Sequence, residues 1–257
     1  MINFQQISEF IVKQVVALQL PSFSCKAEIK PGRVEKIEKA SDISGFIDHT
    51  ALKPQTNRRD IVQLCRQARK NNFYSVCVSP VYIEEAKKQL DCSNSLVVSV
   101  IDFPFGMSSR KNKVNEAKEV INLGADEIDM VIALGLLKGG EYRKVFEDIR
   151  SVVEVNETVP VKVIIETCLL EEEEKIIASL LAKKAGAAFV KTSTGFSSGG
   201  AKVKDIELIR KFVGKDMGVK ASGGIINYKI AAAMLEAGAN RLGCSASMDI
   251  IQVDLNK

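Results

Sequence analysis

The sequence predicts an α/β chain folded as a closed (β/α)8 (TIM) barrel with an N-terminal helical extension, and three observations predict it. Short, β-branched apolar runs recur eight times from residue 45 onward. Each of the first seven is followed by a segment with helical apolar spacing. The turn after the first run reads "HTALKPQT", without the glycine-rich signature usual in the competing α/β architecture, the doubly wound open sheet.

Taken in order, the runs are "GFIDHT" (45–50), "FYSVCV" (73–78), "LVVSVID" (96–102), "DEIDMV" (126–131), "VKVIIE" (161–166), "AAFVKT" (187–192), "MGVKAS" (217–222) and "NRLGCS" (240–245). Alternation with helices makes the strands parallel, and eight such units close a barrel. Between runs, residues 58–70 place Ile61, Leu64, Cys65 and Ala68 on one helical face. Ser79-Pro80 reads as an N-cap and first-turn proline before "VYIEEAKKQL". Ala117, Val120 and Ile121 precede Gly124, and Ile230, Ala233, Met234 and Ala237 precede Gly238, so each glycine sits where a helix C-terminus favours one. The opening stretch, "MINFQQISEFIVKQVVALQLPSF", reads as an amphipathic helix of about four turns, ended near Pro21. It covers one end of the barrel or meets a partner subunit, which gives an extension at 1–40 and a barrel domain at 41–257.

Composition narrows the function. Glu9 and Lys13 interrupt the N-terminal apolar residues, so no stretch there spans a membrane or serves as a secretory signal, and the first arginine, Arg33, comes too late for a transit peptide. A cytoplasmic location is expected. The net charge of +4, from 36 basic and 32 acidic side chains, suits a small anionic substrate and lacks the dense basic stripe of a nucleic-acid binder. The six cysteines are scattered without a C-x-x-C pair, so neither a disulfide framework nor a zinc site is expected. His49 is the single histidine, which excludes H-E-x-x-H and multi-histidine metal sites. Neither a G-x-G-x-x-G nor a Walker loop occurs. No metal and no cofactor are expected.

In a barrel, function belongs at the C-terminal ends of the strands. Asp48 is read as ending the first strand, Asp129 as late in the fourth, Glu166 as ending the fifth, Lys191 the sixth and Lys220 the seventh. A lysine attacks a carbonyl only when neutral, and its ordinary pKa is about 10.4. Desolvation and a neighbouring cation both lower that value, and Lys191 beside Lys220 would have both. Asp129 would then move protons as a carbinolamine forms and dehydrates. The bland alternative pairs each lysine with a carboxylate as a buried ion pair. Two lysines and an aspartate at three separate strand ends favour the reactive reading.

Three loops suggest an anion site. "KASGGI" puts Gly223 and Gly224 after the seventh run, "GCSASMD" puts Ser245 after the eighth where a short helix would start, and "STGFSSGG" (193–200) follows the sixth. Glycines allow close backbone approach and free N–H groups supply donors. One such loop is an ordinary turn, whereas three together favour phosphate binding. The other candidates are weaker. Cys77 lies within a strand and reads as core, and His49-Thr50 as polar contacts near the first strand. Lys162 shares parity with Glu166 and either balances an interior carboxylate or lies in a lower layer or outside. The run "EEEEK" (171–175) reads as a solvated helix start.

Six stretches, "FIDHTALKP", "SVCVSP", "GADEIDMV", "VKVIIETCLL", "FVKTSTGFSSGGA" and "VKASGGI", in this order over about residues 44–248, resemble the signatures of the deoxyribose-phosphate aldolases. The resemblance implies a cofactor-free Schiff-base aldolase that interconverts 2-deoxy-D-ribose 5-phosphate with acetaldehyde and D-glyceraldehyde 3-phosphate. It assigns the Schiff-base lysine to Lys191, the pKa-perturbing lysine to Lys220 and the proton-relay aspartate to Asp129. It makes Asp48 and Cys77 substrate-proximal, and Thr194, Gly195, Gly223, Gly224 and Ser245 sugar- and phosphate-facing. A phosphorylated sugar is the implied partner, with a homo-oligomer possible, and neither nucleic acid nor membrane.

The pattern also departs from the family. Ala246 replaces a second serine, Ile226 an arginine, Asp102 a glycine and Ala133 an asparagine. Some members carry a C-terminal tyrosine that assists proton transfer. Here the sequence reads "VDLNK", so water or another group would take that step. Two rival readings stay open: a lysine aldolase acting on another sugar phosphate, and a non-catalytic barrel with a binding role.

Overall fold

The eight runs form eight strands in a computed structural model that describes residues 4–25 and 39–252. They are β1 (Ile47–Ala51), β2 (Ser75–Val78), β3 (Leu96–Ile101), β4 (Glu127–Val131), β5 (Val161–Ile164), β6 (Phe189–Lys191), β7 (Gly218–Ser222) and β8 (Arg241–Cys244). Each pairs in parallel with the next, and β8 closes onto β1, with Asp48 level with Gly243. The open-sheet alternative is thereby excluded.

Alternation along each strand divides the side chains. Val76 and Val78, Ile128 and Met130, Val161 and Val163, and Val219 and Ala221 face outward into one apolar cluster with the helices. Inside, Cys77, Val98 and Val100 make a small separate apolar cluster on β2 and β3. Much of the remaining interior is charged.

The helices are α2 (Arg58–Asn71), α3 (Ile83–Gln89), α4 (Arg110–Asn122), α5 (Leu134–Lys138), α6 (Tyr142–Val153), α7 (Glu172–Lys184), α8 (Val203–Val213), α9 (Tyr228–Glu236) and α10 (Ser247–Ile251). In α2 the buried residues are Ile61, Leu64, Cys65 and Ala68, and the Asn57 side chain caps the N-terminus by accepting from the Arg59 N–H. The predicted cap at Ser79 is corrected: its side chain caps nothing, and Pro80 opens a 3-10 turn that delays α3 to Ile83. The fourth strand is followed by two helices, α5 and α6, rather than one.

An N-terminal helix, α1 (Phe4–Ala17), precedes the barrel and ends four residues before Pro21. It lies on the barrel's flank rather than over an end. Ile11, Val15 and Leu20 are buried, Arg143 of α6 donates to the Leu18 carbonyl at 2.7 Å, and the Phe23 N–H donates to the Lys184 carbonyl of α7 at 3.0 Å. The rest of the predicted extension, residues 26–38, and the terminal "VDLNK" lie outside the described residues. Among the described residues no helix is long and apolar enough to cross a membrane.

The lower interior is filled by one aromatic ring. Phe189 is 1% exposed and stands level with Gly218 on the neighbouring strand. A Cβ added to Gly218 would lie 2.1 Å from that ring. Gly218→Ala is therefore expected to destabilise the barrel by about 1–3 kcal/mol, the usual cost of overpacking, read as a lower urea midpoint with an unchanged slope.

Candidate active site

Seven charged side chains converge inside the barrel, all at most 5% exposed. Asp48 lies on β1, Glu127 and Asp129 on β4, Lys162 on β5, Lys191 on β6, Lys220 on β7 and Arg241 on β8. Six of them close a ring of alternating sign. Lys220 contacts Asp48 and, at 2.7 Å, Asp129. Asp129 meets Lys162 at 2.8 Å, Lys162 meets Glu127 at 2.7 Å, Glu127 meets Arg241 at 3.2 Å, and Arg241 returns to Asp48 at 2.9 Å. Ser75 donates a further hydrogen bond to Asp48 at 2.6 Å, and the Arg241 guanidinium lies 3.3 Å from the centre of the Tyr74 ring. Such saturation is what makes buried charge tolerable.

Lys191 is the seventh member and hangs outside the ring. Its ammonium has one anionic partner, Asp129 Oδ2 at 2.8 Å, and that oxygen already serves Lys220. Three acids and three bases make the ring neutral, so Lys191 is its one surplus cation. Burial pushes Lys191 below the ordinary lysine value; Asp129 pulls it back up, and the Lys220 ammonium pushes it down again. Lys220 and Lys162 go the other way. Burial opposes their charge, but Asp129 with Asp48 holds Lys220 above the ordinary value, and Asp129 with Glu127 does so for Lys162. Burial likewise disfavours the charge of Asp129, yet Lys162, Lys191 and Lys220 together hold its carboxyl well below the usual range. Of the three interior lysines, Lys191 is the one that gives up its proton most readily.

Replacing Lys220 by leucine removes the cation that lowers Lys191 and leaves Asp129 Oδ2 to Lys191 alone. Both changes raise the Lys191 pKa. The rising limb of the pH–rate profile is expected to move to higher pH, so activity falls at neutral pH and partly recovers on the alkaline side. An unchanged limb would show that Lys220 does not set the amine's titration.

A cavity of about 370 Å³ opens over Lys191. It is lined by Thr194 and Gly195 from the loop after β6, Gly223 and Gly224 after β7, Ser245 after β8, Thr50 near the end of β1 and Lys53 just after it. The loops after β6 and β7 are stitched together. The Ser222 hydroxyl donates to the Ser193 carbonyl at 2.6 Å, the Ala201 N–H lies 3.0 Å from the Ser222 and Gly223 carbonyls, and a Cβ on Gly223 would meet the Gly200 Cα at 3.0 Å. Gly224, with φ +74°, faces open space.

Not every predicted residue reaches this cavity. Asp48 does not line it; it is the second residue of β1, wholly buried, and its carboxylate is held by Lys220 and Arg241. Cys77 is also wholly buried and does not line it, and burial pushes its thiol up to about 11, which makes it a poor nucleophile. Glu166 stands beyond the end of β5 in a left-handed conformation, φ +52°. Its carboxylate accepts from the Thr194 N–H and hydroxyl, so it anchors the loop after β6. His49 turns outward, with Nδ1 2.8 Å from the Ser247 hydroxyl and Nε2 2.9 Å from Gln67 Oε1. The short helix α10 begins at Ser247, two residues past Ser245.

Asp102 adopts φ +48°, a left-handed conformation that favours glycine. Its carboxylate pairs with the buried Lys113 at 3.2 Å and accepts from the Ser108 N–H at 3.1 Å. It stabilises the loop after β3 and does not line the cavity, so it offers no basis for an altered substrate range. Sequence reasoning missed Arg241 as a site residue; its signal was a basic residue inside an otherwise apolar predicted strand. It also missed Lys53, which lines the cavity from the loop after β1.

An eight-stranded barrel whose C-terminal mouth holds a buried amine beside a carboxylate is an arrangement suited to an aldolase. The sequence model of the DeoC/LacD family aldolases matches residues 44–252, and the chain belongs to that family. The deoxyribose-phosphate aldolase of Aciduliprofundum boonei is 52% identical over 215 residues, covering 83% of this chain and 97% of its own. That of Thermococcus gammatolerans is 53% identical over 215 residues, covering 82% and 96%. Among solved structures, the tetrameric deoxyribose phosphate aldolase of Aeropyrum pernix superimposes with a TM-score of 0.79 at 29% identity, covering 85% of this chain and 93% of its own.

Proposed function

We propose that the chain reversibly cleaves 2-deoxy-D-ribose 5-phosphate to acetaldehyde and D-glyceraldehyde 3-phosphate through an imine on Lys191. The observation that carries this reading is that Lys191 is the one surplus cation on a neutral buried ring and opens onto the cavity. The neutral amine adds to the C1 aldehyde of the open-chain sugar. Loss of water gives the protonated imine. Electrons of the C2–C3 bond then flow into that imine as the C3 hydroxyl loses its proton, releasing glyceraldehyde 3-phosphate. Protonation of the enamine at C2 and hydrolysis free acetaldehyde and restore the amine. The imine is its own electron sink, so the chemistry calls for no cofactor.

Asp129, 2.8 Å from the amine, orients it and passes protons between nitrogen and the C1 oxygen. Lys220 keeps Lys191 from holding its proton, and Asp48 acts through Lys220 rather than on substrate. Cys77 packs the wall below. Thr194, Gly195, Gly223, Gly224 and Ser245 receive the hydroxyl and phosphate end. Deoxyribonucleoside breakdown in the cytoplasm, by a homo-oligomer, is the setting this substrate suits, and the tetrameric Aeropyrum pernix relative supports the assembly.

The test is acetaldehyde release from deoxyribose 5-phosphate, with other sugar phosphates as controls. Trapping with acetaldehyde and borohydride should add an ethyl group to the peptide containing Lys191. An adduct on Lys220 or Lys162 would overturn the assignment, and release without any adduct would overturn the imine.

A further inference from the structure

Among the described residues the cavity has one charged lining residue besides the reacting amine: its basic lining residues are Lys191 and Lys53, and no acid lines it. Ile226 lines the same cavity and is 62% exposed, contributing no charge. From Lys191 the cavity wall runs along four neighbouring strand ends, β6, β7, β8 and β1. Lys191 stands at the first, Gly223 and Gly224 at the second, Ser245 at the third and Lys53 at the fourth, two residues past the end of β1. The two cations therefore flank the glycine and serine positions from opposite sides.

Lys53 is also free to bind. It is exposed, and among the described residues no carboxylate pairs with its ammonium. Its backbone is fixed, because its carbonyl accepts from the Thr56 N–H at 2.9 Å and Pro54 follows it. The nearby charged side chains of the following helix are engaged elsewhere: Asp60 accepts from the Asn57 N–H at 2.9 Å, and Arg58 pairs with Glu85 at 2.8 Å. A flexible ammonium on a fixed stem, at a cavity whose wall also carries glycine N–H groups, suits a phosphate dianion.

We propose that Lys53 is the specificity-determining residue for the phosphate of the substrate, supplying from the loop after β1 the charge that Ile226 does not supply from the loop after β7. The proposal rests on the sugar-phosphate reading above. Glycine N–H groups and Ser245 orient the phosphate oxygens, and Lys53 makes the site prefer the dianion over an uncharged hydroxymethyl end.

Lys53→Gln keeps a polar side chain of nearly the same reach and removes the charge. The expected result is a rise of about tenfold or more in KM for deoxyribose 5-phosphate, the scale of one charge-assisted hydrogen bond, with kcat nearly unchanged. The kcat/KM for unphosphorylated deoxyribose should change by much less, Lys53→Arg should restore most of the affinity, and added salt should raise KM in the wild type but scarcely in Lys53→Gln. Equal losses on both sugars, or an unchanged KM for the phosphate ester, overturn the role of Lys53. Should the wild type release no acetaldehyde, the sugar-phosphate reading fails on its own. Lys53 is then judged by titrating wild type and Lys53→Gln with inorganic phosphate under phosphorus NMR, where equal affinity overturns it.

Discussion

Lys191→Arg is expected to give a folded barrel with no measurable turnover. The substitution preserves the cation beside Asp129, so the buried charge balance of the ring is kept. It removes the one property the chemistry needs, because a guanidinium is not deprotonated in proteins. Two measurements check this: acetaldehyde release from deoxyribose 5-phosphate, and the borohydride-trapped ethyl adduct, which should vanish together. In the wild type the active form is the neutral amine, so activity rises with pH as Lys191 loses its proton. The midpoint of that rise should lie below the ordinary lysine value, since burial and Lys220 favour the free amine. Residual turnover in Lys191→Arg at a tenth of the wild-type rate would mean that another group attacks the substrate.

Asp129→Asn should damage both stability and rate. Asp129 faces three ammonium groups within 2.8 Å. Its amide replacement leaves them with Asp48 and Glu127 as the remaining interior acids. Removing one partner from a buried charge cluster costs about 3–5 kcal/mol, and loss of a positioned proton-transfer group slows turnover by roughly 10²–10⁴-fold. The pH dependence separates these effects from general damage. The Asp129 carboxyl is held well below its ordinary value in the folded barrel. Its contribution is therefore full above the unfolded value, about 3.9, and is lost as pH falls toward the folded one. The gap in urea stability between wild type and Asp129→Asn should be widest at neutral pH and narrow in acid. A gap that stays constant with pH would mean that the aspartate acts by shape and not by charge.

The barrel was legible because its signal repeats. Eight apolar runs with helical segments between them leave little choice of architecture, and the strands fall within a few residues of where the runs lie. Where the reading slipped, a local hydrogen bond decided the matter. Pro80 admits either a helix start or a 3-10 turn, and the Tyr82 N–H, donating to the Ser79 carbonyl at 3.0 Å, closes the turn. Lys191, Lys220 and Asp129 stand out as charges in apolar strands, and strand parity points them inward together. The depth of Asp48 could not be read from its run, because barrel strands are tilted and staggered, so position along a strand does not translate into height. Arg241 and Glu127 were hidden for a related reason: their partners lie on strands far away in the chain, and only closure of β8 onto β1 completes the ring. Lys53 sits in a loop, where neither period nor parity speaks.

The closed ring of six charges also bears on how this sequence can change over generations. Each member has two neighbours of opposite sign, so exchanging any one for a neutral residue leaves two others undercompensated in a dry interior. Single steps away from the pattern are costly, and the routes that stay open pass through simultaneous exchange of an acid with one of its adjoining bases. The six positions are thus expected to change together. The helices outside, whose charges meet water, are free to drift one residue at a time.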